Sequence, residues 1–103
     1  MKVKTHETHA IAKVIWRTEE EIGKSMPPPG STSWAATARF VEDDEHDLFS
    51  VVLYYLANHS LREANLHFFA PALVLPRLQV GSRLFITDGP KIIADAEILE
   101  VSE

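Results

Sequence analysis

Two runs of strand-forming residues meet at a Gly-Pro turn in the stretch Arg83-Leu-Phe-Ile-Thr-Asp-Gly-Pro-Lys-Ile-Ile-Ala-Asp-Ala-Glu-Ile-Leu-Glu-Val101. β-branched and aromatic residues, which favour strands, are frequent in both runs. Gly89 and Pro90 separate the runs, because these two residue types are typical of tight turns. The second run, 91–101, is rich in Ile and long enough for a curved strand. This stretch therefore predicts two successive strands.

Four more runs of similar composition precede this stretch, at 10–17, 34–41, 48–56 and 65–70. In the first run Ala12, Val14 and Trp16 fall on one side, as the two-residue period of a strand requires. No stretch of about 12 residues keeps apolar positions at helical spacing, and only one helical turn is expected, at 18–25. Six short strands predict an all-β fold, either a sandwich or a small closed barrel, and closure removes exposed strand edges.

Length and composition predict one small domain. The chain has 103 residues, and one domain is expected for roughly 100 to 200 residues, so we expect a single β-barrel domain over 1–103 with a polar segment at 1–9. The absence of Cys excludes a disulfide framework and a thiolate metal site. The sequence has no secretory apolar segment and no apolar run of the about 20 residues that span a bilayer. We therefore expect a cytoplasmic protein without membrane contact.

The net charge of −5 comes from one acidic run without Lys or Arg, which consists of Glu42, Asp43, Asp44, Glu45 and Asp47. Nucleic-acid binding depends on Lys and Arg that neutralise phosphates, so this charge disfavours RNA as a partner. Like charges repel and keep such a run in water, which predicts a solvated hairpin loop between two strands. The run is also a candidate acidic handle for a basic partner.

The sequence contains no recognisable catalytic or metal-binding pattern. His6 and His9 would lie on opposite faces of an extended segment, without the companion ligands of a zinc site. Ser60 has no Gly-x-Ser-x-Gly turn around it, and no glycine belongs to a phosphate-binding loop. We therefore expect no enzymatic activity and no cofactor. An enzyme would require His59, His67 and an acid to meet in a cleft.

The aromatic residues admit two interpretations, a stacking platform for bases and an ordinary barrel core. No Lys or Arg is interleaved with the apolar run 48–56, which favours the core. Phe68 and Phe69 are adjacent, so a strand must point one of the two rings outward, where it can mark a protein contact surface.

The stretch 80–98 resembles the final hairpin of the third domain of elongation factor Tu and related translational GTPases. The corresponding positions here are Arg83, Phe85, Ile86, the turn Asp88-Gly89, Lys91, and the small pair Ala94 and Ala96. Residues 65–71 and 10–16 resemble two earlier strands of that domain. The resemblance implies a closed six-stranded antiparallel barrel of Greek-key type, similar to that C-terminal domain and to other translation proteins. Small residues at the two alanine positions suit a tightly coiled strand in such a barrel.

The sequence also departs from the family pattern. The family's Tyr-Arg-Pro-Gln-aromatic segment before the second strand is replaced by Gly30-Ser-Thr-Ser-Trp-Ala35, and the sequence contains no GTPase domain. The resemblance therefore implies neither GTP hydrolysis nor the family's tRNA contacts.

These observations predict a non-enzymatic binding module that contacts a protein partner. The predicted partner-binding residues are Glu42, Asp43, Asp44, Glu45, Asp47, Arg83 and Lys91. The alternative is an RNA-binding module that uses a basic face around Arg62, Arg77, Arg83 and Lys91. Segregation of these bases onto one face would favour the alternative.

Overall fold

The structure is a computed structural model, and it describes residues 8–18, Glu20, 33–55 and 63–102. Its strands are β1 (Ala10–Trp16), β2 (Ser33–Phe40), β3 (Phe49–Tyr55), β4 (Glu63–Phe68), β5 (Arg83–Asp88) and β6 (Lys91–Val101). All six predicted strands are present, and their ends differ from the predicted ranges by at most two residues. The helical turn expected at 18–25 and the segment 1–9 fall mostly outside the described residues.

The six strands form a closed antiparallel barrel in the order β1-β4-β3-β2-β5-β6, and β6 pairs with β1 to complete it. Strands β2, β3 and β4 are neighbours in the sheet as they are in sequence, and β1 lies beside β4, which is the Greek-key order. Each strand therefore has a partner on both sides, so closure leaves no free edge among them. The predicted all-β, six-stranded antiparallel barrel is confirmed.

Large and small side chains alternate in the barrel interior. Two alanines each lie between larger residues of the neighbouring strands, with Ala94 between Trp16 and Ile86, and Ala96 between Val14 and Leu84. Both alanines are buried, which confirms that they face the interior. Because protein interiors are close-packed, a longer side chain at either position would have to displace its neighbours.

One end of the barrel is covered by a short helix, α1 (Pro71–Val74), and a following 3-10 turn (Leu75–Arg77). As residue types, Pro71 and Pro76 predict a turn between β4 and β5, and the helix corrects this interpretation. Each proline lies at the start of its helical segment, where no intrahelical N–H bond is lost. Val74 and Leu78 are buried in the core, so this connection packs onto the barrel end.

His9 joins the start of β1 to two other parts of the same barrel end. Its backbone N–H donates to the carbonyl of Leu66 at 2.8 Å, and its carbonyl accepts from the N–H of Ser102 at 2.8 Å. Its imidazole Nδ1 accepts a hydrogen bond from the N–H of Phe68 at 3.0 Å. The ring also stacks on His67, with centroids 4.8 Å apart. His9 therefore has a structural role between β1 and β4.

Within the described ranges, no helix has both the length and the apolar character that crossing a membrane requires.

Candidate functional site

The acidic run forms the connection between β2 and β3, and we call residues 42–47 the acidic loop. Its backbone is shaped by local turns, since the N–H of Asp47 donates to the carbonyl of Asp44 at 2.9 Å. The carboxylate of Asp44 also accepts from the backbone N–H of His46 at 2.9 Å, a turn that aspartate side chains favour. The run is a hairpin loop between two paired strands, as predicted.

Arg77, at the end of the 3-10 turn, holds the acidic loop in place. Its Nη1 donates to Asp43 Oδ2 at 2.7 Å and its Nη2 to Asp43 Oδ1 at 2.9 Å, the bidentate geometry that makes guanidinium–carboxylate pairs specific. Its Nη2 also lies 3.6 Å from Glu42 Oε2. The guanidinium covers the Phe40 ring, with Cζ 4.1 Å from the ring centroid. These contacts fix the loop against the helical connection.

We call the bidentate contact between Arg77 and Asp43 the clamp. It is ionic at neutral pH. The hydrogen bond from Arg77, together with its positive charge, holds the pKa of Asp43 below its usual value, although desolvation opposes the shift. The hydrogen bond to Asp43 correspondingly raises the pKa of Arg77, and the charges of Glu42 and Asp47 contribute in the same direction. One arginine therefore faces three of the five loop acids.

The other two acids, Asp44 and Glu45, carry the loop's outward negative charge. Both are exposed, and no Lys or Arg of the described ranges forms an ion pair with either of them. Glu45 has His46 beside it, with Nε2 and Oε2 3.9 Å apart. This pair of carboxylates is directed at solvent from a loop whose base is fixed.

The predicted basic residues do not gather on one face of the described structure. Arg83 begins β5 opposite Glu97 of β6, and Lys91 lies opposite Asp88 across the β5–β6 turn. The third base, Arg77, is bound to Asp43 in the clamp. Arg62 lies outside the described residues. Each described base of the RNA-binding alternative therefore has an acid as its neighbour.

Charges of alternating sign also cross the outer surface of four adjacent strands. The exposed residues of this row are Glu63 on β4, Lys13 on β1, Glu97 on β6 and Arg83 on β5. Opposite charges at neighbouring positions attract weakly across a sheet. The row has no net charge, so it supplies no field of one sign that would attract nucleic acid.

Of the seven predicted partner-binding residues, the structure brings six to one region. The five acids share the loop, and the carbonyl of Arg83 accepts from the N–H of Val41, at the loop's start, at 3.1 Å. Lys91 begins β6 after β5 has run to the opposite end of the barrel. The Gly89-Pro90 turn that precedes Lys91 nevertheless lines a cavity with Glu45 and His46 of the loop, so Lys91 borders the same region.

The sequence did not predict a groove beside the acidic loop that is lined by both apolar and charged side chains. This groove has a volume of about 400 Å³ and lies between the loop and α1. Its lining includes the buried Phe40, whose ring is covered by Arg77, the buried Val74 and the partly buried Phe49. Its sides include Leu48 and Leu73, which are 42% and 75% exposed, respectively. Only the fold brings the two leucines together, because they come from segments far apart in the chain.

Arg39 is a second residue that sequence reasoning missed. Its guanidinium lies over the Phe85 ring, with Cζ 5.1 Å from the centroid, and its buried Nε has no hydrogen-bond partner among the described residues. It lines a cavity of about 260 Å³ with Glu45 and Gly89. This cavity offers one positive and one negative side chain, so it selects neither sign of ligand charge.

The histidines do not form a metal centre in the described part of the chain, where no three His, Asp or Glu side chains are placed to hold an ion. His9 and His67 stack on each other. His6 and His59 lie outside the described residues, so the enzyme interpretation, which requires His59, His67 and an acid to meet, also falls outside them. Phe68, the last residue of β4, is buried, and Phe69, which directly follows the strand, is 61% exposed, so one of the two rings points outward as expected.

No protein-family model, curated protein or solved structure matches the chain.

Proposed function

We propose that this chain is a non-enzymatic binding module on a translation-factor-like β-barrel, and that it contacts a basic surface of a protein partner through the acidic loop. The observation that carries the proposal is the clamp. Arg77 fixes the loop by a bidentate contact with Asp43, while Asp44 and Glu45 remain exposed and without a Lys or Arg partner in the described ranges.

A fixed loop suits electrostatic recognition better than a flexible loop. Charges arranged in complementary positions increase the association rate and disfavour wrong partners, and holding them in place before binding reduces the entropy lost on association. A purely solvated acidic turn would not need a bidentate arginine from another element. The clamp therefore supports an interaction role for the loop.

The relationship to the third domain of elongation factor Tu is part of this proposal. The six-stranded antiparallel Greek-key barrel and the β5–β6 hairpin with Ala94 and Ala96 in its second strand support it. A shared fold does not fix a shared activity, and the binding role is argued from the loop. A cytoplasmic location also belongs to the proposal.

The test is affinity capture from native extract with the wild-type chain and two charge variants. Asp44→Asn combined with Glu45→Gln removes the two outward charges and leaves the clamp intact. Glu97→Gln combined with Glu100→Gln changes the net charge by the same amount on β6, where both residues are exposed. We expect the loop variant to lose a protein partner that the β6 variant retains, and binding of that partner to weaken as salt is added.

The same experiment includes the outcomes that contradict the proposal. Equal loss of the partner with both variants would show that only total charge matters. Capture that nuclease abolishes, and that the loop variant strengthens, would favour the RNA-binding alternative instead.

A further inference from the structure

The groove beside the acidic loop combines two exposed leucines with the buried or partly buried Phe49 and Val74, and Arg77 covers the Phe40 ring beside them. Leu73 is 75% exposed because α1 uses its neighbour Val74 as the anchor in the core, which leaves Leu73 on the outer side of the helix. Leu48 follows the last acid of the loop and is 42% exposed. Single exposed leucines are ordinary, but these two line one concavity above Phe40 and Phe49.

The size of the groove limits what it can hold. Its volume of about 400 Å³ lies near the lower end of the roughly 300 to 1,000 Å³ typical of ligand pockets. This space suits one or two side chains of an extended segment. The adjoining Leu48 and Leu73 would contact an apolar group from two sides, with Phe49 and Val74 beside it.

The charges around the groove define what must accompany that apolar group. Asp43 and Asp47 line the groove together with Arg77, whose charge is directed at the acids by the clamp. Asp44 and Glu45 follow along the loop without a Lys or Arg partner in the described ranges. The rim is therefore negative, and it would repel phosphates of a nucleic acid or of an anionic membrane.

We propose that this groove docks a short segment of the partner protein in which one leucine-sized side chain is flanked by lysines or arginines. The apolar side chain lies between Leu48 and Leu73, and the basic residues face the acidic loop. This inference rests on the proposed function and specifies the chemistry of the segment that the loop recognises.

Two synthetic peptides test the proposal by titration into the labelled chain, followed by backbone amide NMR. One peptide is Gly-Lys-Lys-Leu-Lys-Lys-Gly and the other carries Ala in place of Leu. We expect the Leu peptide to bind about tenfold more tightly, the gain expected for burying part of a leucine side chain. The amide signals of Leu48 and Val74 should shift with the Leu peptide and much less with the Ala peptide.

A matched pair of variants shows whether the groove is responsible. Leu73→Gln should reduce the affinity for the Leu peptide to that for the Ala peptide, while Leu99→Gln, at another exposed leucine on β6, should leave it unchanged. Both positions are exposed, so neither change removes a buried contact.

The outcomes separate this inference from the proposed function. Equal binding of both peptides to the wild-type chain, lost in Asp44→Asn with Glu45→Gln, would overturn the groove and retain the acidic loop. Absence of binding by both peptides would count against the loop itself. Concentration-dependent dimerisation that Leu73→Gln abolishes would overturn the inference by making a second copy the occupant.

Discussion

At Ala94 and Ala96 the packing of the barrel depends on side chains that are no larger than a methyl group. Each alanine is flanked across the sheet by larger residues, such as Trp16 and Ile86 on either side of Ala94. The strands can approach closely there because one member of each trio is small. Sequence analysis predicted small residues of a tightly coiled strand at these two positions, and both are buried.

Enlarging either alanine should destabilise the fold. We expect Ala94→Leu and Ala96→Leu each to lower the free energy of unfolding by about 1 to 3 kcal/mol, the usual cost of overpacking a core. Urea denaturation followed by circular dichroism measures this change. Glu100→Leu, at an exposed position of the same strand, should stay within about ±0.5 kcal/mol. Unchanged midpoints for both alanine variants would contradict the packing described.

At the scale of elements, the strands were predictable from sequence and the helical connection was not. Each strand has a run of β-branched and aromatic residues bounded by turn residues, which is a local signal. Helix α1 has four residues, too few to show a helical period, and Pro71 and Pro76 are as typical of turns as of helix starts. Periodicity therefore failed for a helix of about one turn, in which the 3.6-residue repeat cannot occur twice.

The acidic loop was predicted for the same local reason, but its clamp was not. Asp43 and Arg77 are separated by 34 residues, and they meet only because the connection between β4 and β5 covers the end where β2 turns into β3. Sequence analysis assigned Arg77 to a basic face, since charge alone does not reveal its partner. The groove was missed because it likewise depends on this long-range contact.

Because of the clamp, the free energy of unfolding should depend on pH in a specific way. Because the folded pKa of Asp43 is lowered from its ordinary value of 3.8, its ionic contact stabilises the fold above that pH and is lost as the pH falls through the folded value. Between about pH 5 and 7 the free energies of unfolding of wild type and Asp43→Asn should thus differ by a constant amount. As the pH falls further and Asp43 is protonated, the two free energies should converge. Urea denaturation at a series of pH values measures this difference.

Arg77→Met provides the control, since it keeps an apolar stem over Phe40 and removes the charge. In that background Asp43→Asn should no longer produce a pH-dependent difference, as a double-mutant cycle requires of a specific pair. The same pH dependence in both backgrounds would show that Asp43 is stabilised by other groups.

The whole molecule is one closed ring of strands, in which β1 pairs with both β4 and β6. Opening any pair exposes two edges and part of the single core, so the parts cannot separate without cost to the rest. Trp16 on β1 and Trp34 on β2 both pack against that core. They therefore report on its integrity from two different strands.

We expect the chain to unfold in one cooperative transition, as small single domains usually do. Tryptophan fluorescence and far-ultraviolet circular dichroism should give the same urea midpoint. Trp16→Phe and Trp34→Phe each leave one reporter, and within each variant the two probes should again coincide. A fluorescence transition of Trp16 that precedes the loss of strand signal would show that β1 detaches separately.

Because β1 pairs with β6, the barrel cannot close during synthesis until the last strand has been made. Trp16 ends the first strand and Val101 ends the last, and at about 5 to 20 residues per second the ribosome needs roughly 4 to 17 s to make the chain between them. During this interval β1 emerges without its closing neighbour and can pair on that side with other nascent or unfolded chains. Slow codons before residue 91 would lengthen the vulnerable period, whereas a chaperone that covers the first strand until the last has left the ribosome would shorten it.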